Sequence, residues 1–207
     1  MSRLASIGAI GALALLVGGT AVYVFLPRGD TDLFANCRAG QVAGGTDTIG
    51  GPFELVNGLG ETVTDADVIT GPTLIYFGYT FCPDVCPLDT ARNAEAVEIL
   101  DERGVGVTPV FISVDPARDT PEVVGAFAEN FHDRMIGLTG SDAQVKAASQ
   151  AYKTYYKAHE AEDDYYLVDH STFTYFVLPE HGFVEFFRRG DGAEDMADRV
   201  ACFVAEA

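Results

Sequence analysis

The chain has 207 residues, 48% of them hydrophobic, and a formal net charge of −18 at neutral pH. That length and apolar content fit one domain with a proper core plus an appendage. All 31 acidic residues lie from Asp30 onward, against 11 of the 13 lysines and arginines, so the chain beyond Arg28 carries −20. This argues against nucleic-acid binding, which wants a basic face, and leaves a solvated surface or steering toward a basic partner.

Residues 1–3 precede a charge-free run, Leu4–Leu26, rich in Ala, Leu, Val and Gly. At ~1.5 Å per residue it is long enough for the ~30 Å hydrocarbon core of a bilayer. A cleaved signal peptide has a shorter apolar core followed by small residues. Here the run ends in Tyr23-Val-Phe-Leu26, so the expectation is an uncleaved anchor with residues 1–3 in the cytoplasm. Residues 27–51 are polar, Gly-rich and aperiodic, which reads as a tether. Cys37 follows Asn36 well past the apolar run and is not a lipidation site. Residues 52–207 form the domain. It opens with a hairpin, Phe53–Val56 and Glu61–Val63 around Asn57-Gly-Leu-Gly60.

The next stretch organises the rest. Leu74–Phe77 is an apolar run bounded by Pro72 and Gly78, a buried strand. Gly78–Phe81 is a turn, Cys82 and Cys86 follow, and Pro87 opens a helix, where its pre-set φ suits the first turn. Free N–H groups and the helix dipole favour thiolate there. Two chemistries use such a pair: thiol–disulfide exchange and binding of a soft metal. The extra residue relative to Cys-x-x-Cys opens the bite and mildly favours a metal.

The helix from Pro87 ends at Arg103 with Gly104 as its cap. Val107–Val114 is a second strand, with Pro109 near its start. Thr120 caps a helix with Pro121 in its first turn, and Val123, Val124, Phe127 and Phe131 share one face. Met135–Leu138 is a short strand. Ser141 and Gln144 form a capping box for a helix whose buried face holds Val145, Ala148, Tyr152 and Tyr155. Alternating strands and helices imply a parallel sheet covered on both sides. Tyr165–Val168, Phe173–Leu178 and Phe183–Phe187 are then strands in close succession, the last two an antiparallel hairpin, before a final helix with Met196, Val200 and Phe203 on one face. The residues alone reach an α/β fold with a mixed central sheet.

Phe77-Gly-Tyr-Thr-Phe-Cys-Pro-Asp-Val-Cys-Pro87 resembles the signature of the Sco/SenC family of copper-binding, thioredoxin-like proteins. Val114-Asp-Pro-Ala-Arg-Asp-Thr-Pro121 resembles its second motif and Asp169-His-Ser-Thr-Phe-Thr-Tyr-Phe176 its third, in the right order. The resemblance implies a thioredoxin-like fold preceded by the hairpin, held in the periplasm by a single inner-membrane span. It implies Cys82, Cys86 and His170 as metal ligands, with His170 in a loop facing the cysteines. Two thiolates and an imidazole suit copper, Cu(I) or Cu(II), whereas structural zinc normally takes four protein ligands. Asp169 is placed to orient the His170 ring, or is simply a loop acid. The implied role is a metallochaperone that receives copper from an upstream donor, with a thiol reductant, and delivers it to the binuclear copper site of cytochrome c oxidase subunit II. Two alternatives stay open: a thiol–disulfide reductase of that subunit's cysteines, using Cys82 and Cys86 catalytically, and a redox or copper sensor acting through a membrane partner.

Other residues are plainer. His132, His159 and His181 read as solvated. Asp115, Arg118 and Asp119 form a charged loop, either a brace for the site or a capping turn. Cys37 and Cys202 bracket the domain outside every family motif. Their spacing and an oxidising compartment predict a disulfide tying the tether to the last helix.

Overall fold

The computed structural model describes residues 32–40, 45–160 and 165–207. The apolar run Leu4–Leu26 lies outside them; among the described residues no helix is long and apolar enough to cross a membrane.

The elements are β1 (Glu54–Asn57), β2 (Thr62–Thr64), α1 (Asp65–Val68), β3 (Thr73–Gly78), α2 (Val85–Glu102), β4 (Thr108–Ser113), α3 (Pro121–Glu129), β5 (Ile136–Thr139), α4 (Asp142–Ala151), β6 (Tyr156–Ala158), β7 (Val168–His170), β8 (Thr174–Leu178), β9 (Gly182–Phe187) and α5 (Ala193–Glu206). Seven strands form one sheet in the order β2-β1-β5-β4-β3-β8-β9. The β3–β4 and β4–β5 pairs are parallel, while β1–β2, β1–β5, β3–β8 and β8–β9 are antiparallel, so the sheet is mixed as expected.

β3 lies inside the sheet, between β4 and β8, and all six of its residues are buried. Side chains alternate across a strand, and both faces are used. Phe77 packs on Tyr152 at the end of α4, rings 5.5 Å apart. Tyr76 points the other way and donates to Asp89 of α2. Its neighbour Phe111 meets Phe127 of α3, at 4.6 Å. On that same side Leu74, Ala96, Val97, Leu100, Phe187, Met196, Val200 and Phe203 form one apolar cluster between the sheet, α2 and α5. α2 has polar as well as apolar buried residues, Asp89, Thr90 and Asn93 among them. This explains its weak apolar periodicity: the helix is wedged against a polar network and a partner helix.

Local signals fall where the sequence puts them. Thr120 accepts from the Val123 N–H, and Ser141 and Gln144 cap each other. Gly104 closes α2 at φ +75°, a conformation that costs glycine least. Three details differ. Helix α2 starts at Val85, so Pro87 is its third residue. Tyr155 is exposed, and α3 buries Val124 and Ala128 more deeply than Phe127 and Phe131. The strand expected at 165–168 is β7, three residues later, and it pairs outside the central sheet with β6, which the sequence did not announce.

Within the segment read as a tether, Phe34 and Cys37 are buried. Phe34 lies 5.2 Å from the Phe203 ring and 5.1 Å from His181, and a disulfide joins Cys37 to Cys202 of α5. His181 lies in the β8–β9 turn, at the end of the sheet away from Thr174 and Tyr76.

Candidate metal centre

Cys82, Cys86 and His170 converge. Their ligand atoms all lie within 4.8 Å of one another, and Cys86 Sγ is 3.2 Å from His170 Nε2. Three elements place them. β3 ends in Gly78, directly beneath the site. A Cβ there would stand 3.0 Å from Cys86 Sγ and 2.9 Å from the Tyr76 ring, so only a glycine lets the sulfur settle on the sheet. Cys82 caps the loop by donating its N–H to Tyr79 O, and its own Sγ accepts the Cys86 N–H at 3.3 Å. Cys86 sits in the first turn of α2, where N–H groups lack helical acceptors. Both cysteines are free thiols, Cys86 fully buried and Cys82 8% exposed.

The two sulfurs are electrostatically unequal. The Cys86 thiol, followed by His170 and the N–H groups of Asp84 and Cys86, holds Cys82 far below the ordinary thiol range, against the opposing effect of burial. Burial, then the adjacent Cys82, drives Cys86 the other way. At neutral pH the pair therefore carries one thiolate, on the more accessible sulfur, and one proton, on the buried one.

His170 is the last residue of β7, not a loop residue. Two tyrosine rings stand edge-on to its imidazole, Tyr79 at 5.7 Å and Tyr76 at 6.2 Å. Its Nδ1 lies 2.9 Å from the carbonyl of Ser171, an arrangement that leaves Nε2 facing the sulfurs. Asp169 does not orient the ring. It is one residue away on a strand and so faces the other side, where its carboxylate meets His159 Nε2 at 2.9 Å in solvent.

Several neighbours were not legible as site residues. Tyr76 and Tyr79 line the imidazole, and Tyr76 is held by the buried Asp89, one turn beyond Cys86. Burial raises the pKa of both tyrosines, which keeps them neutral. Position i+3 from Cys86 was the available signal for Asp89. The charged loop also joins in. Asp119 accepts from the Thr80 N–H at 2.9 Å and from the Thr80 hydroxyl at 2.6 Å. Phe81, next in sequence to Cys82, is exposed.

A mixed sheet with one cysteine in the loop before a helix and a second in its first turn, both facing a histidine on a strand of the small second sheet, defines a thioredoxin-like protein built to hold a soft metal or to exchange thiols. The donor set of two sulfurs and one imidazole fits copper, in either oxidation state. Comparison with known proteins gives the same class. The SCO1/SenC family model matches residues 41–205. Protein SenC of Rhodobacter capsulatus is 50% identical over 203 residues, covering 98% of this chain and 91% of that protein. The crystal structure of Arabidopsis thaliana ScoI with copper bound superposes with a TM-score of 0.72 at 42% identity, over 76% of this chain and 99% of that one. BsSco, a member of the Sco family of cytochrome c oxidase assembly proteins in which a disulfide switch was identified, superposes with a TM-score of 0.60 at 25% identity, over 73% of this chain and 91% of its own. The chain belongs to the SCO1/SenC family.

Proposed function

We propose that this protein is a copper metallochaperone, anchored in the inner membrane by Leu4–Leu26 with its domain in the periplasm, that delivers copper to the binuclear copper site of cytochrome c oxidase subunit II. The convergence of Cys82, Cys86 and His170 within 4.8 Å carries the reading. It is supported by relatives solved with copper bound and by the tie of BsSco to oxidase assembly. Copper is the cargo. Cys82, already a thiolate and the less deeply buried of the two sulfurs, meets it first. Cys86 must then lose its proton to become the second ligand. His170 supplies the borderline nitrogen that stabilises Cu(II) beside two soft sulfurs. An upstream copper donor loads the site, and a thiol reductant keeps both cysteines reduced. The exposed ring of Phe81, beside Cys82, suits contact with a partner protein.

The test is titration of the full chain with each copper ion. Wild type binds one copper per chain, and His170→Ala weakens Cu(II) binding more than Cu(I). Unchanged Cu(II) binding in His170→Ala rejects the role of the imidazole.

A second reading is favoured by the inequality of the thiols. A thiolate at Cys82 attacks a disulfide in the target, and a mixed disulfide forms. Cys86, losing its proton to the departing sulfur, then closes on Cys82. The target ends with two thiols and this chain with a Cys82–Cys86 disulfide, to be reduced again by an external dithiol. This reductase needs no imidazole ligand, so exchange that survives His170→Ala while copper transfer is lost separates the two activities.

A further inference from the structure

The two halves of the site come from segments that share no strand pairing: the cysteine loop leaves β3, while His170 ends β7 in the small β6–β7 sheet. One side chain, outside the ligand set, touches both. The Arg118 guanidinium lies 3.6 Å from the centroid of the Tyr166 ring, 4.9 Å from Phe81 and 5.7 Å from Tyr79. Its Nη1 donates to the Tyr166 carbonyl at 2.9 Å. Its Nε is paired with Asp115, whose other oxygen accepts the Tyr166 hydroxyl at 2.6 Å. Tyr166 and Val168 lead into His170, and the Val168 N–H donates to the hydroxyl of Tyr79, the ring that faces the imidazole. Phe81 is the residue before Cys82. The arginine and its aspartate are both largely buried, so the contact is not a solvated surface pair.

We propose that Arg118 is a positioning residue that couples the histidine strand to the cysteine loop, so that its release separates the imidazole from the two sulfurs. What remains then is a two-thiolate site, suited to Cu(I) and poor for Cu(II). The flat, forked guanidinium is needed because it stacks on rings from both segments while donating to a carbonyl and pairing with Asp115; an ammonium, a compact point charge without a planar face, does not meet all of these at once. The proposal rests on the copper reading for its consequence, but the coupling itself exists without metal.

Two measurements on the full chain keep these apart. In metal-free protein, amide exchange is followed in residues 79–82 and 166–170 for wild type, Arg118→Lys and the charge-balanced pair Arg118→Leu/Asp115→Asn. Both variants should accelerate exchange in the two segments together, by about tenfold or more. Acceleration in one segment only, or in neither, overturns the coupling. In copper-loaded protein, both variants should weaken Cu(II) about 10–100-fold, the range for loss of an orienting neighbour, with reduced nitrogen hyperfine coupling and Cu(I) affinity kept. Arg118→Lys supplies the charge that Asp115 needs, so full recovery of exchange protection and of the nitrogen signal by lysine overturns the proposal in favour of simple charge balance. If wild type itself shows no nitrogen coupling, the copper role of His170 fails, while the exchange data still decide the role of Arg118.

Discussion

The chain holds two cysteine pairs, at opposite ends of the same sheet. Cys82 and Cys86 are four apart, share one element and remain free thiols. Cys37 and Cys202 are 165 apart and are joined. The short spacing is set by a loop and a helix turn, where the Cys86 thiol, then His170 and nearby N–H groups, stabilise one thiolate and burial keeps a proton on the other. The long spacing is set by apolar packing of Phe34 on Phe203, which carries the N-terminal segment onto α5. One pair is built for chemistry and the other for topology.

Breaking the distal pair should have the largest effect on stability and none on the site. Cys37→Ser should cost about 2–5 kcal/mol, because the bond closes a loop that spans most of the domain. Chemical denaturation should show the loss while copper stoichiometry stays at one. A copper defect in folded Cys37→Ser would mean that the two ends are not independent.

Gly78→Ala attacks the other pair from below. Its methyl group would press on Cys86 Sγ and the Tyr76 and Phe111 rings, all at about 3 Å. Overpacking of this kind costs about 1–3 kcal/mol, and the displaced sulfur should also weaken copper binding. Retained affinity with lowered stability would show that the sulfur has room to adjust.

The unequal protonation gives a pH prediction. Cys86 has a raised pKa and is protonated at neutral pH in the metal-free protein; Cys82 has a lowered one and is not. Copper needs both as thiolates, so each Cu(I) bound by the two sulfurs displaces about one proton. Affinity should therefore rise about tenfold per pH unit through neutrality, for about 1.4 kcal/mol each. Calorimetry in buffers of different ionisation enthalpy would count the protons. Release of two would place a proton on Cys82 and contradict the inequality.

The smallest effect is expected at Asp169. Because its carboxylate faces the exposed His159, Asp169→Asn should change copper affinity by less than about twofold. A tenfold loss would reinstate it as the residue that orients His170.

The sequence was most informative where one local rule acts alone. Strand β3 contains the whole apolar run Leu74–Phe77 and extends it by one residue at each end, the Thr120 and Ser141 caps are where their side chains require them, and Gly104 ends α2. It was weaker where the element is very short. β6 and β7 are three residues each and pair with each other outside the central sheet, too short to show a periodicity. Of the two roles open to Asp169, orienting the ring fails because neighbours on a strand face opposite sides, and the strand lies three residues later than expected. The Cys37–Cys202 disulfide was expected, but Phe34 read as tether because a single buried aromatic in a polar stretch carries no pattern.

Composition, the three motifs and the order of elements were enough to assign an α/β fold and to name Cys82, Cys86 and His170 as a group. Only the folded chain decided which sulfur keeps the proton, which carbonyl turns the imidazole, and that Arg118 bridges the two segments. Those outcomes depend on burial and on contacts between distant residues, and neither is written in local order.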